Sequence, residues 1–385
     1  MDRYLHIFTN VMNVFASSPE GLEKFLAKEI SDLGGKQIEI SRRSVSFKCD
    51  LATFYRLHFY SRIAFRFYRE VARFPCSDKN SLYTGVQSSF DWIKWLPADK
   101  SFCVQVTGKN FFLRHTHFTA LQVKNAIIDL QKKCLGSRSD ISLKNPYLII
   151  HLHLNNEEAI LSLQSTVDSL HKRGYRPLMA DAPLKENLAA GLIQITEWEG
   201  KTPLIDIMCG SGTLLIEAIS QNLKIPNIIK KNYLFENWID FNNDIFISEK
   251  LKLKNNNLSK FEISKVIGCE INIDVFEQAQ KNISLAGLEN FIEMHNTDFI
   301  NLVINEEPGV ILCNPPYGRR IGHEQELIDL YAQLGEFLKQ NFSGWTLWLL
   351  SGNSKLTKFL KMKASLKIPI NNGGIDCRWI KYLIN

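Results

Sequence analysis

Leu204-Ile-Asp-Ile-Met-Cys-Gly-Ser-Gly-Thr213 decides how the second half of this 385-residue chain folds. The apolar run before Asp206 is too short for a helix and reads as a buried strand. Asp206 stands at its carboxyl end, and Gly210 and Gly212 permit a tight turn and close approach of a ligand to a helix N-terminus. Reading outward, the unit recurs. Helices are expected over 184–197 and 213–221. After a polar, Asn/Lys-rich insertion (about 224–262) come a strand over 265–269, a helix over 273–286 and a strand over 291–295. A strand over 309–313, a helix over 324–340 and a strand over 345–350 follow, with two last segments over 364–370 and 377–384. Such alternation predicts an α/β, doubly wound, Rossmann-like parallel sheet that binds ligands beyond the carboxyl ends of its strands.

Those strand ends carry the chemistry. A dinucleotide fingerprint, G-x-G-x-x-G, would need glycine at position 215, which is Leu215. Glu270 closes the second strand, where a carboxylate can accept two ribose hydroxyls. Asp298 follows the third and could accept from an adenine amino group. Taken singly, each acid fits a helix N-cap equally well. The sharpest signal is Gly309-Val-Ile-Leu-Cys-Asn-Pro-Pro-Tyr-Gly318. Two prolines stiffen the loop and remove amide donors that would compete for nearby carbonyls. The Asn314 side-chain oxygen and the Pro315 carbonyl can then accept both hydrogens of one planar amino group, with Tyr317 as a flat face for its ring.

The front of the chain reads differently. Residues 1–176 hold 25 lysines and arginines against 16 acids, whereas residues 177–385 hold 21 against 24. A basic front on a mildly acidic back suits a polyanion. Its densest stretch places Arg62, Arg66, Arg69 and Arg73 among Phe65, Phe67, Tyr68 and Phe74. The arginine spacing fits one helix face, while the alternation Ile63, Phe65, Phe67 fits a strand. Either arrangement mixes basic and aromatic groups, as looped or single-stranded RNA requires. Ser18-Pro-Glu20 signals a helix start, with short strands over 37–40 and 44–48. A strand over 101–107, a helix over 119–134 bearing Lys124, and a hairpin turning at Asn155-Asn-Glu157 complete the front.

Composition excludes several classes. Hydrophobic residues make up 45% and charged residues 22%, which excludes a disordered chain. The longest apolar runs fall far short of the ~20 residues of a membrane span, and the opening residues do not resemble a secretory leader. Eight cysteines without a Cys-x-x-Cys pair point to neither zinc nor a disulfide framework. A reduced cytoplasmic setting, no metal, no membrane and a monomer are the expectations.

The Asn314-Pro-Pro-Tyr317 and Asp206-x-x-Cys-Gly-Ser-Gly212 motifs together resemble the S-adenosylmethionine-dependent amino-methyltransferases. Local strings narrow the resemblance: Arg173-Gly-Tyr-Arg176, Ala182-Pro-Leu-Lys-Glu-Asn-Leu-Ala-Ala190, Met208-Cys-Gly-Ser-Gly-Thr-Leu-Leu-Ile-Glu-Ala218 and Asn372-Gly-Gly-Ile-Asp-Cys377. The chain is similar to the bacterial THUMP-domain RNA methyltransferases that make N2-methylguanosine in large-subunit ribosomal RNA. The resemblance implies a ferredoxin-like unit (1–66), an α+β THUMP domain (67–167) and a methyltransferase domain (168–385). It implies that Pro183, Leu184, Asp206, Met208, Gly210 and Gly212 hold the methionine end of S-adenosylmethionine. Glu270 with Ile271 would take the ribose, and Asp298 with Phe299 the adenine. Asn314, Pro315, Pro316 and Tyr317 would take the target base, and Arg62, Arg66, Arg69, Arg73 and Lys124 the RNA, ribosomal RNA above all. The family usually carries Pro where this chain has Ile207. The same motif serves adenine-N6 methyltransferases of DNA or RNA and protein glutamine methyltransferases. An RNA-binding ribosome assembly factor with an inactive cofactor site is a reading of another class.

Overall fold

Front and back each build one sheet in this computed structural model, which describes residues 11–176, 184–227, 233–253, 262–316 and 324–385. The front runs β1 (Met12–Ser17), α1 (Glu23–Asp32), β2 (Lys36–Ser41), β3 (Ser44–Cys49), α2 (Leu51–Tyr60) and β4 (Arg66–Pro75). It continues through α3 (Lys79–Ser88), α4 (Trp92–Trp95), β5 (Ser101–Lys109), α5 (Thr116–Leu135), β6 (Asp140–Ile141), β7 (Leu148–Asn155) and β8 (Glu158–Gln164). All eight strands join one sheet in the order β2-β3-β1-β4-β8-β7-β5-β6. The two halves of the front therefore share β4. Its first residues pair with β1 (Ser17 opposite Arg66), and its remainder pairs with β8 (Pro75 opposite Glu158).

Local chemistry explains most boundaries. Asp50 caps α2 by accepting from the Thr53 N–H at 2.8 Å, and Asp78 forms a reciprocal box with Ser81 at the start of α3. The expected helix start at Ser18 moves to Glu23. Gly21 sits at φ +95°, outside the helical region, and the Glu23 carboxylate accepts from the Gly21 and Arg43 amides instead. Of the two readings of the arginine stretch, the strand holds from Arg66 onward. Arg62 falls in the turn after α2.

The back runs α6 (Glu186–Thr196), β9 (Leu204–Asp206), α7 (Thr213–Asn222), α8 (Asn243–Lys252), β10 (Val266–Glu270) and α9 (Ile273–Leu285). Then come β11 (Glu293–Asn296), β12 (Val310–Cys313), α10 (Glu324–Asn341), β13 (Thr346–Ser351), β14 (Ala364–Asn372) and β15 (Ile375–Leu383). The order is β11-β10-β9-β12-β13-β15-β14. The first five strands are parallel and apolar on both faces at the centre, as a sheet covered on both sides demands. The last two pair antiparallel, which limits the expected parallel sheet to five strands. The order reverses at β9. The chain moves outward to β10 and β11, then returns to place β12 on the other side, which opens a crevice between β9 and β12.

The insertion between α7 and β10 is more than a spacer. Phe235, Trp238, Phe241 and Phe246 pack with Phe54, Tyr55 and Phe59 of α2 in one aromatic cluster. Arg56 pairs with Glu249 at 2.9 Å and Arg69 with Asp240 at 2.6 Å. The insertion thus clamps the front unit to the back. Among the described residues, no helix is long and apolar enough to cross a membrane.

Candidate active site

Asp206, Glu270, Asn296 and Asn314 all stand at or just beyond the carboxyl ends of parallel strands. Register fixes their neighbourhood: Asp206 lies level with Gly268 of β10 and with Leu312 of β12, two residues before Asn314. Asp206 is fully buried, and Oδ1 accepts from the Met208 N–H at 3.4 Å. Burial pushes its carboxyl up to about 7; the charge of Glu270 adds to the rise, and the Met208 amide opposes it.

The loop after Asp206 is held from two sides. Ile207 donates its N–H to the Leu312 carbonyl at 3.3 Å, and Cys209 donates to Cys269 at 2.9 Å. A proline at 207, which the resemblance would imply, could not make the first bond; Ile207 instead ties β9 to the strand carrying Asn314. Ile207 is itself core. Gly210 (φ +53°) donates to Glu270 Oε2 at 3.1 Å, and Glu270 Oε1 accepts from Asn272 at 2.9 Å. Gly212 (φ +77°) opens α7. Among the described residues, a carbon added at Gly210 would meet nothing within 4 Å, so this backbone faces open space there.

Ile271, next to Glu270, is 65% exposed and offers an apolar face, while Asn296 donates to the Glu270 and Ile271 carbonyls. Asp298 caps the short turn 299–301, accepting from Ile300 at 3.2 Å, while its side chain stays half-exposed. The Phe299 ring is buried against Phe337, so anything it offers a ligand comes from its main chain. Met208 is half-buried against the core. Leu184 is buried, and its carbonyl accepts from Arg176.

Arg176 is the residue that sequence reasoning passed over. It donates to Leu184 and to Thr213 Oγ1 at 2.9 and 3.1 Å and pairs with Glu186 at 3.0 Å. It therefore pins the segment leading into α6 against the start of α7. The only signal for it was its place in the Arg173-Gly-Tyr-Arg176 string.

Asn314 leaves β12 half-buried, with Oδ1 inaccessible to water and without a hydrogen-bond partner among the described residues. Such an orphaned acceptor costs about 1–3 kcal/mol, which a donor arriving in the crevice would recover. Pro315 is buried and Pro316 half-buried. Pro183 and Tyr317 lie outside the described residues. Open backbone at Gly210, carboxylates on adjacent strand ends and an apolar face at Ile271 fit an adenosine bearing a charged amino-acid tail. Among the described residues no cluster suits a metal ion.

Three of the arginines expected to meet RNA hold carboxylates. Arg62 is buried, paired with Glu217 at 3.1 Å, and also donates to the Ser220 and Ile225 carbonyls. Arg69 pairs with Asp240 and lies over the Trp95 and Trp238 rings. Arg73 pairs with Glu70 and Glu158. Burial keeps Arg62 from any phosphate, whereas Arg69 and Arg73 hold their carboxylates nearer the surface. Arg66 is half-buried in β4, and Lys124 is half-exposed on α5.

Comparison with known proteins places this geometry. A family model described as RMKL-like, methyltransferase domain, matches residues 173–381. A RlmL ferredoxin-like domain matches 13–68 and a THUMP domain 76–164. A Synechocystis sp. protein provisionally named an RNA methyltransferase is 38% identical over 369 residues, covering 96% of both chains. Ribosomal RNA large subunit methyltransferase K/L of Aliivibrio fischeri is 36% identical over 374 residues, covering 96% of this chain and 53% of that protein. The chain thus spans about half the length of the K/L relatives it matches. Among solved structures, SMU.472, provisionally titled a methyltransferase and complexed with SAH, superposes with a TM-score of 0.87. It is 25% identical, covering 97% of this chain and 98% of that one. A possible methylase from Clostridium difficile 630 superposes at 0.88 with 26% identity, covering 98% of this chain and 99% of that one.

Proposed function

Because this chain belongs to the RMKL-like methyltransferase family, and is thus an enzyme using S-adenosylmethionine, we propose that it methylates the exocyclic N2 amine of a guanosine in large-subunit ribosomal RNA. The observation that carries the reading is the orphaned Asn314 oxygen at the β12 end, beside the β9 loop. The names of the relatives and the match to a THUMP domain support RNA as substrate.

When bound, the cofactor supplies a methyl group on a positively charged sulfur. The residues of this chain do the rest. The open backbone at Gly210 and the Asp206 carboxylate receive the amino-acid tail. Glu270 accepts from the ribose, and Ile271 and Asp298 flank the adenine.

A guanine N2 lone pair is delocalised into its ring and is a poor nucleophile. Asn314 Oδ1 and the Pro315 carbonyl accept the two N–H groups, favour a pyramidal nitrogen and stabilise the positive charge that develops on it. The nitrogen loses its proton to water afterwards, so no dedicated base is needed. Within a duplex the base must be turned out of its stack, at a cost of a few kcal/mol that falls in a loop.

The test is incubation with methyl-labelled cofactor and ribosomal RNA, transfer RNA, DNA or protein, followed by nucleoside and amino-acid analysis. N2-methylguanosine in large-subunit RNA is expected. Label in N6-methyladenosine of DNA, or in glutamine, would overturn the reading.

A further inference from the structure

We propose that the loop between β5 and α5, with the first turn of α5, is a stacking platform for unpaired bases of the RNA substrate; the proposal rests on the RNA reading above and adds a surface to it. Phe111 and Phe112 are 71% and 67% exposed, with ring centroids 5.0 Å apart and planes nearly perpendicular. Phe118, on the first turn of α5, is 45% exposed. Three phenyl rings within eight residues make an apolar surface that folding alone does not explain.

The rings are displayed on a fixed frame. Asn110 Oδ1 accepts from the amides of Phe112 and Leu113 at 3.1 and 2.7 Å, and Nδ2 donates to the Cys76 carbonyl at 2.9 Å. Leu113 is buried and plugs the loop into the core. A pre-ordered ring loses little entropy when a base stacks on it.

Charge selects the partner. From Ser101 to Ile128 the sequence has no carboxylate side chain, while Lys109, Arg114 and Lys124 supply cations and His115 and His117 further donors. The Arg114 guanidinium lies 4.8 Å from the Phe111 ring centre, and Lys79 lies 6.0 Å from that of Phe118. The nearby Asp78 is engaged in capping α3. Neither Lys109 nor Arg114 forms an ion pair among the described residues, unlike Arg62, Arg69 and Arg73. Aromatic faces that accept any base, interleaved with cations that no carboxylate neutralises, are what a single strand requires; Arg114 Nε also donates to the Phe111 carbonyl at 2.9 Å, which fixes it beside that ring. β5 lies three strands beyond β4, on the side of the sheet away from β1.

The experiment uses the full chain and a fluorescein-labelled single-stranded RNA 20-mer of mixed sequence, with its duplex as comparison, read by anisotropy across a salt series. F111A/F112A should weaken single-strand binding by 10-fold or more without changing the salt slope, because no charge is removed. F111W/F112W should restore it. R114A should instead flatten the slope by about 0.7. The cofactor affinity of all three variants, read by calorimetry, should match wild type. The platform is overturned if F111A/F112A binds the single strand within twofold of wild type. It is likewise overturned if the variant's main effect is to dissociate a dimer in sedimentation. If the wild-type chain methylates ribosomal RNA with a KM unaffected by F111A/F112A, the platform alone fails. If wild type neither binds nor methylates any RNA, the underlying reading fails with it.

Discussion

Glu217 is the side chain whose loss the fold should feel most. It lies on α7, five residues past Gly212, and is fully buried. Arg62 reaches it from the front unit at 3.1 Å, Arg173 at 3.2 Å and the Tyr175 hydroxyl at 3.0 Å. Burial alone would push the Glu217 carboxyl up; the Arg173 and Arg62 charges and the hydrogen bonds from Arg173 and Tyr175 hold it below its ordinary value instead. Glu217→Gln keeps the shape and removes the charge. Two guanidiniums then face each other in the interior without the carboxylate that bridged them; Glu29 and Glu186 act on them only from farther off, and each keeps backbone carbonyls as acceptors. Breaking a buried pair by removing one partner costs about 3–5 kcal/mol. Urea unfolding followed by tryptophan fluorescence should show a midpoint lower by on the order of 1 M. Arg62→Met added to Glu217→Gln should recover part of the loss, since one stranded cation is removed. A Glu217→Gln protein within 1 kcal/mol of wild type would refute the argument, because it would mean that water already reaches the cluster.

Three further outcomes follow from the site. Asn314→Ala should lower kcat by about 10²–10³, the usual cost of one lost charge-stabilising group, while calorimetry finds cofactor affinity within threefold of wild type; substantial turnover would remove Asn314 from its role. Gly210→Ala should cost about 1–2 kcal/mol of stability, because its φ of +53° is left-handed, and should weaken cofactor binding by roughly 5- to 100-fold because the methyl occupies ligand space; unchanged affinity would place the ligand elsewhere. Asp206 holds its proton up to about pH 7 in the folded chain but only to about 3.8 unfolded. Between those values the folded state binds the extra proton, so this group makes stability fall as pH rises and level off above 7. Asp206→Asn should therefore be more stable than wild type at pH 8, by up to about 4 kcal/mol, and nearly equal at pH 4; a difference independent of pH would contradict this.

The back half was legible because its signals are local. A buried strand, an acid and a glycine turn lie within ten residues in Leu204-Ile-Asp-Ile-Met-Cys-Gly-Ser-Gly-Thr213, and Asn314 follows β12 directly. The fates of the front arginines were illegible because their partners are remote. Glu217 is 155 residues from Arg62, and Asp240 is 171 from Arg69. A basic, aromatic stretch reads the same whether its cations face solvent or carboxylates supplied by another domain. The role of the Asn/Lys-rich insertion was illegible for the same reason. Its composition suggests a solvated loop, yet Phe235, Trp238 and Phe246 anchor it to α2. Phe111 and Phe112 carried no such signal, because exposure of a phenylalanine follows only from what the rest of the fold leaves uncovered.

These displaced expectations fit one design. On the proposed reading, RNA bound by the front and the reacting amine must be held at a fixed separation. Flexible tethering would spread the amine over many positions, and misplacement by about 1 Å can cost 100-fold in rate. Arg56, Arg62 and Arg69 therefore serve as fasteners. Arg62 locks the front unit to the helix that begins at the cofactor loop, and Arg56 and Arg69 lock it to the insertion. Positive charge for RNA must then come from cations without such duties. Lys109, Arg114 and Lys124, on β5, its following loop and α5, are in that position.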